Sequence, residues 1–133
     1  MLKHLLALSL VLPLSAQEWG KDWTKTDTVL EVAAISLYLA DLGQTLDIER
    51  HNAHPDRYPM PGRTPYFEKN PFLGKHPSRA TINAYFIALI ASHVFISGKL
   101  KHGWARTTYQ TTTIFYSYNT VYSNHQIGLK ISF

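Results

Sequence analysis

The chain has 133 residues, of which 45% are hydrophobic, 13% aromatic and only 17% charged, with a formal net charge of +4. Because a soluble domain usually carries about a quarter charged residues, this charge-poor composition favours a membrane protein with one domain. The absence of cysteine excludes disulfide frameworks, thiolate metal sites and a cysteine nucleophile, and the modest, scattered positive charge predicts no nucleic-acid partner.

The N-terminus has the pattern of a targeting segment. A basic start precedes an apolar stretch over 5–14, and Ser15 and Ala16 supply small residues where a signal peptidase can cut. The apolar stretch is short for a span, which needs roughly 20 residues. We therefore predict a signal peptide at 1–16, or an N-terminal anchor if it is retained, followed by a single helical membrane domain over 17–133.

The first predicted span covers residues 28–48. Its apolar run contains no helix breaker, and Asp27 or Thr28 can cap its start. Its second half carries polar side chains on or next to one broad face of the helix: Asp41, Gln44 and Thr45. Polar groups inside a membrane-length segment are costly, so we expect each of them to have a partner or a role.

Residues 49–80 are predicted to form a Pro-rich and His-rich loop. Six prolines and two glycines fall in this stretch, together with six positively charged side chains. A loop of this length is usually functional rather than idle. A second span is predicted over 81–100, with Ser78 as its N-cap directly after Pro77.

The last segment, 107–133, allows two interpretations. Its many Thr and Tyr residues favour strands, and its end alternates towards a terminal Phe133 as in the last strand of an outer-membrane barrel. An eight-stranded barrel needs about eight segments of ten residues, and the chain has room for two or three. We therefore predict a third helix that ends near Ile127 or Gly128, and an all-α, polytopic membrane fold with about three transmembrane helices.

Charge sets the predicted topology. With a cleaved signal peptide the mature N-terminus lies outside, so the first span crosses inward. The loop at 49–80, which carries six positive charges, is then cytoplasmic, and the turn at 99–106 is periplasmic. The sequence thus predicts a multi-pass protein of the bacterial inner membrane with its C-terminus inside.

Helix rise and this topology place the polar side chains at two depths. The group near the cytoplasmic face combines residues of two spans and the loop: Asp41, Gln44, Thr45, Glu68, Asn70, His76 and Asn83. The third span brings further polar residues to the same level: Asn119, Asn124 and His125. A second, looser group faces the periplasm: Glu31, His93, Arg106 and Tyr109.

Three fragments carry a resemblance to a known family. They are Asp41-x-x-Gln44-Thr45, then Glu68-x-Asn70-Pro71-x-x-Gly74-x-His76-Pro77-Ser78, and then Asn83-x-Tyr85-Phe86. In this combination the chain resembles a family of small bacterial and phage-borne integral membrane proteins of unknown function, over roughly residues 38–128. The resemblance implies a membrane fold and brings no known activity. The insert at 49–64 departs from the family pattern.

The polar group near the cytoplasmic face supports three functional hypotheses. In the first, its side chains hydrogen-bond across helices, and the protein is a structural or partner-binding component acting through membrane lipids, a membrane protein partner or self-association. In the second, the protein is a membrane-embedded hydrolase in which Asp41, Glu68 and His76 act as general base or metal ligands. In the third, it is a phage-type pore former, because three spans in this orientation suit a holin.

The loop also contains weak candidates for metal ligands. His51, His54 and Asp56 lie close together in the sequence, and imidazole with carboxylate can bind Zn²⁺ and activate its water. No metallohydrolase spacing such as His-Glu-x-x-His occurs in the chain. We therefore expect no cofactor.

Overall fold

The computed structural model describes residues 22–57, 66–101 and 103–133. Over these residues the chain is all-helical and has no strand. It forms three helices, α1 (Lys25–Ala53), α2 (Arg79–Lys99) and α3 (Trp104–Gln126). The prediction of an all-α chain with three helices is thus confirmed for the described part, and the strand interpretation of 107–133 is wrong. The predicted signal peptide at 1–16 lies outside the described residues.

Helix α1 begins three residues earlier than the sequence pattern predicts. Its N-cap is Thr24, whose hydroxyl accepts a hydrogen bond from the Asp27 backbone N–H at 3.1 Å. The Asp27 carboxylate in turn accepts from the Thr24 backbone N–H at 2.8 Å, which completes a capping box. The prediction of an N-cap at Asp27 or Thr28 is therefore wrong, because Asp27 is the third residue of the helix and closes the capping box from there.

Helix α1 also ends later than predicted, so the first five residues assigned to the loop at 49–80 are helical. The segment 49–53 stays helical because it contains no Gly or Pro, and its basic residues Arg50 and His51 suit the negative end of the helix dipole. The helix ends where His54 precedes Pro55, a position at which helical backbone is disfavoured. At the other end, α2 already begins at Arg79.

The ends of α2 and α3 agree with their sequence signals. Ser78 is the N-cap of α2, and its hydroxyl accepts from the Thr81 N–H at 3.2 Å, as predicted. Gly103 precedes α3 with a φ of 119°, a conformation that a residue with a side chain rarely adopts. Helix α3 ends at Gln126, within one or two residues of the predicted end.

Helices α2 and α3 both pack against α1. Its contact with α3 is the larger one, and α2 and α3 contact each other only slightly. A small hydrophobic core lies between α1, α2 and the end of the loop, formed by Leu46, Leu73, Ile82 and Phe86. The C-terminal tail, residues 127–133, turns back after α3 and lies against α1 at Gly43.

Two of the helices, α1 and α2, are long and apolar enough to cross a membrane. Helix α3 does not pass the same test, although its 23 residues correspond to roughly 35 Å at 1.5 Å per residue. The reason lies in its composition, which is dominated by Thr and Tyr rather than by aliphatic side chains.

Candidate functional site

A buried arginine joins the ends of all three helices at one end of the molecule. Arg106 is fully buried, and its guanidinium donates to the carboxylates of Asp22 at 2.8 Å and Asp27 at 3.3 Å. It also donates to the backbone carbonyls of Ser97 at 2.9 Å and of Leu100. These carbonyls belong to the last turn of α2, where no further helical N–H is available. Arg106 therefore neutralises the carboxylates at the start of α1 and supplies hydrogen-bond donors to the carbonyls at the end of α2.

A second polar cluster lies one turn deeper and is centred on Glu31. One carboxylate oxygen accepts from the His93 Nδ1 at 2.9 Å and the other from the Gln110 amide at 2.9 Å. The ring of Tyr109 stacks on His93 with 4.8 Å between centroids, and Tyr38 contacts the same imidazole edge-on. The structure thus brings together Glu31, His93 and Tyr109 of the predicted periplasmic group. Arg106, the fourth member, is linked to them indirectly, because Arg106 and Gln110 both donate hydrogen bonds to Asp27.

Gln110 was missed by the sequence analysis. It is fully buried, and besides binding Glu31 it donates to the Asp27 carbonyl at 3.1 Å. The available signal was its spacing, because Gln110 lies four residues after Arg106 and so on the same face of α3. The spacing was not distinctive, because many other positions of α3 are occupied by Thr and Tyr, which are also polar.

At the other end of the bundle, the segment 41–47 of α1 binds α3. The Asp41 carboxylate accepts from the Asn124 side-chain amide at 3.2 Å, and the Gln44 amide donates to the Val121 carbonyl at 3.0 Å. Asn124 was expected at this level from helix rise and the predicted topology. Asp41 and Gln44 therefore act as cross-helix contacts in the described structure.

The same segment of α1 also holds the C-terminal tail. Asp47 is buried, and its two carboxylate oxygens accept from the Lys130 backbone N–H at 3.0 Å and the Ser132 hydroxyl at 3.3 Å. The Ser132 backbone N–H donates to the Gly43 carbonyl at 3.1 Å. A Cβ atom at Gly43 would lie 2.7 Å from the Ile131 Cγ2 atom, so the glycine permits this close approach. The sequence pattern did not single out Asp47 or Gly43, although an acidic residue within the predicted span is a usable signal.

The loop residues of the polar group mainly build a turn. The Glu68 carboxylate accepts from the Asn70 backbone N–H at 2.8 Å, and the Asn70 side-chain oxygen accepts from the Phe72 N–H at 3.0 Å. Gly74 completes the turn with a φ of 74°. Glu68 is also close enough to Asp41 for their carboxyl groups to interact electrostatically.

Other predicted residues lie apart from this contact region. His76 is exposed and contacts the Phe67 ring at 5.4 Å between centroids, and Asn83 is exposed on α2. Thr45 is buried in α1. Within the described ranges no hydrogen bond or ion pair links His76 to Asp41 or to Glu68.

The candidate metal ligands do not converge either. The His51 Nδ1 donates to the Asp47 backbone carbonyl at 2.8 Å, while His54 and Asp56 are exposed. Over residues 22–57, 66–101 and 103–133, no three His, Asp or Glu side chains come close enough to hold a metal ion.

Tyr66 connects the loop to the tail and to the end of α1. Its hydroxyl donates to the Ile127 carbonyl at 2.8 Å, its backbone carbonyl accepts from the Asn52 side chain at 3.2 Å, and its ring contacts His51. Burial, and then the nearby Asp47 carboxylate, raise the pKa of the Tyr66 hydroxyl, so the phenol stays protonated and able to donate.

Comparison with known proteins identifies no relative, since the chain matches no protein-family model, no curated protein and no solved structure.

Proposed function

We propose that this protein is a small integral membrane protein whose inward-facing polar side chains fix the packing of its helices and the position of its loop and tail. The observation that carries this proposal is an inverted distribution of polarity. In the described part of the chain, ten polar or charged residues are buried, against seven hydrophobic ones. The helices meanwhile expose large apolar and aromatic side chains: Val29, Val32, Leu39, Ile87, Phe95, Ile96, Phe115, Tyr116, Tyr118 and Tyr122.

A bilayer accounts for this inversion and water does not. In water the hydrophobic effect drives apolar side chains inward, and a 133-residue chain with so small an apolar core would be poorly stabilised. In lipid the apolar surface costs nothing, and polar side chains must find partners inside the protein. The pairs Glu31–His93, Asp41–Asn124 and Arg106–Asp27 are partners of this kind.

We propose three spans, although only α1 and α2 are apolar enough to cross a membrane by composition alone. Helix α3 carries its only arginine, Arg106, and the nearby Gln110 fully buried against the other helices. Its length of roughly 35 Å is sufficient for the hydrocarbon core. The positive charges of the 49–80 segment favour a cytoplasmic loop and a bacterial inner membrane.

Within the membrane, a structural or partner-binding role fits the contacts better than catalysis. Asp41, Gln44 and Asp47 all hydrogen-bond to α3 or to the tail, and Glu68 hydrogen-bonds within its own turn. Side chains used in this way hold the fold. The partners in this proposal are membrane lipids, a membrane protein or a second copy of the chain.

Alkaline carbonate extraction tests the proposal. Membranes from cells that express the full chain are washed with carbonate and then with detergent. We expect the protein to stay in the carbonate pellet and to be released by detergent. Release into the carbonate supernatant would show a peripheral or soluble protein and overturn the proposal.

A matched pair of substitutions tests the structural role. Asp41→Leu removes the acceptor for Asn124, whereas Asp56→Leu changes an exposed carboxylate in the turn after α1. We expect a reduced steady-state level in the membrane for Asp41→Leu only. If Asp41→Leu leaves the level and the thermal stability unchanged, Asp41 does not serve the packing of the bundle.

A further inference from the structure

The outward side of α3 carries a regular row of exposed residues. The buried residues of this helix are Arg106, Gln110 and Ser117. Because successive residues of a helix are about 100° apart, position 108 lies on the opposite side from position 106. From there, exposed residues follow at alternating spacings of four and three, and we call them the outer stripe: Thr108, Thr112, Phe115, Asn119, Tyr122 and Gln126. This spacing is the one at which a helix packs along a second helix.

The outer stripe is polar, whereas the exposed side of α2 is not. The middle of α2 exposes mostly small or apolar side chains, which suit contact with acyl chains: Ala84, Ile87, Ala88, Ala91, Phe95 and Ile96. Five of the six side chains in the outer stripe carry a hydroxyl or an amide group. Helix α3 is also the one described helix that is not apolar enough to cross a membrane by composition. Its outer stripe is therefore poorly suited to lipid.

Asn119 is the member of the outer stripe that is most costly to leave in lipid. Its Nδ2 atom donates to the Phe115 carbonyl at 2.7 Å, and this contact fixes which end of the side-chain amide is the oxygen. Among the described residues, neither that oxygen nor the second N–H of Nδ2 has a partner. Asn119 lies about 6 Å from the middle of the 23-residue helix, well inside a hydrocarbon core about 30 Å thick. The amide therefore needs a partner that is itself within the membrane.

A second copy of the chain supplies such a partner at the same depth. Copies inserted in one membrane have the same orientation, so two α3 helices related by an axis along the membrane normal run parallel. In that arrangement Asn119 faces Asn119. A side-chain amide carries both a donor and an acceptor, so the Oδ1 atom of each copy accepts from the free N–H of the other. An acyl chain offers neither group.

We propose that the protein forms a parallel homodimer through the outer stripe of α3, with Asn119 paired across the two-fold axis. Phe115 and Tyr122 pack against the second copy, and the small side chains of Thr108 and Thr112 allow the two helices to approach closely. A single Asn in a stripe of this spacing specifies the register and the number of paired helices. The inference rests on the proposed function, because Asn119 needs an intramembrane partner only if α3 spans a bilayer.

Disulfide cross-linking in native membranes tests the interface, since the full chain contains no cysteine. Phe115→Cys places a thiol on the outer stripe. Tyr116→Cys is its matched control, because the two side chains are similarly exposed, at 70% and 76%, and differ by about 100° around the helix. Ala88→Cys places a thiol on the exposed side of α2. After oxidation, we expect a disulfide-linked dimer for Phe115→Cys and little for the other two variants.

Substitution of Asn119 tests the hydrogen-bonded pair. Sedimentation equilibrium in detergent micelles measures the dissociation constant of the dimer. Asn119→Leu is expected to raise it about fivefold to thirtyfold, the effect of an interhelical hydrogen-bonded pair in a membrane protein. Asn83→Leu replaces an exposed asparagine of α2 and is expected to leave the constant unchanged. Thermal unfolding checks that both variants are folded.

Three results would overturn the inference. They are equal cross-linking of Phe115→Cys and Tyr116→Cys, cross-linking of Ala88→Cys alone, and equal dissociation constants for folded Asn119→Leu and Asn83→Leu. A carbonate-resistant protein that stays monomeric refutes the dimer and leaves the membrane assignment standing. A carbonate-soluble protein refutes both.

Discussion

At the residue scale, the buried side chain of Asp47 holds the C-terminal tail against α1. Its carboxylate joins α1 to the tail, since it accepts a hydrogen bond from Lys130, which lies 83 residues further along the chain. Both of its oxygens accept hydrogen bonds from the tail. In a low-dielectric surrounding such charge-assisted bonds are strong, and removing one side leaves donors unsatisfied.

We predict that Asp47→Ala releases the tail from α1 without unfolding the bundle. The loss is expected to be about 1.5–3 kcal/mol, the contribution of hydrogen bonds to a charged group. Hydrogen exchange at the Lys130 and Ser132 amides measures it directly, and we expect both to exchange much faster. Asp56→Ala, at an exposed site, serves as the control. Unchanged exchange in Asp47→Ala would show that the tail is held by other contacts.

We also predict that Glu31 and His93 are energetically coupled. Each single replacement, Glu31→Leu or His93→Leu, leaves a buried polar partner and is expected to cost about 3–5 kcal/mol. The double variant removes both groups and is expected to cost less than the sum. Unfolding in mixed detergent micelles provides the four values of the cycle.

The control cycle pairs Glu31→Leu with Ser92→Ala, an exposed site in α2. Those two effects are expected to add within about 0.5 kcal/mol. If the Glu31 and His93 effects are equally additive, the 2.9 Å contact does not contribute to stability.

At the scale of elements, sequence signals predicted the existence of the helices better than their ends and contacts. The apolar run of α1 and the Ser78 cap of α2 are local features, and local features survive in a single sequence. The late end of α1 was missed because the loop was assigned from its prolines, which begin only at Pro55. The return of the tail was missed because its contacts join residues more than eighty positions apart.

The same distinction applies to the candidate site. Helix rise, combined with the predicted order and direction of the three helices, placed Asn124 level with Asp41, and Glu31 level with His93. It carries no information about how a loop closes, so the exposed position of His76 had to come from the structure. Patterns that resemble a catalytic motif and patterns that build a turn use the same residues, as Glu68 and Asn70 illustrate.

Gly43 links the helix and tail as elements, and we predict that Gly43→Ala displaces the tail. A Cβ atom there would lie 2.7 Å from the Ile131 Cγ2 atom and 3.2 Å from the Ser132 backbone nitrogen. In an exposed helix the same change is expected to stabilise by about 1 kcal/mol, so the two effects have opposite signs. We expect faster exchange of the Ser132 amide with a more stable α1.

Ile131→Ala provides the matched suppressor, because it removes the nearest atom. The double variant Gly43→Ala with Ile131→Ala is expected to recover part of the protection of the Ser132 amide. Slower exchange in Gly43→Ala alone would contradict the close packing of the tail on α1.

At the scale of the whole molecule, the described part of the chain buries charged and polar side chains and exposes large apolar ones. Arg106, Glu31 and Asp47 are buried, whereas Val32 and Ile87 are more than half exposed, at 58% and 54%. An exposed apolar surface of this kind is covered by something in the working protein. We propose that a lipid bilayer covers this surface.

The chain contains no cysteine, so single cysteines report on this claim without interference. Val32→Cys, Ile87→Cys and Asp56→Cys are each treated with a membrane-impermeant maleimide in membranes that are opened to the cytoplasmic side, and again after denaturation in detergent. We predict that Asp56→Cys is labelled in membranes opened to the cytoplasmic side, whereas Val32→Cys and Ile87→Cys are labelled only after denaturation. Rapid labelling at Val32→Cys and Ile87→Cys before denaturation would show that these exposed faces meet water, and would contradict the account.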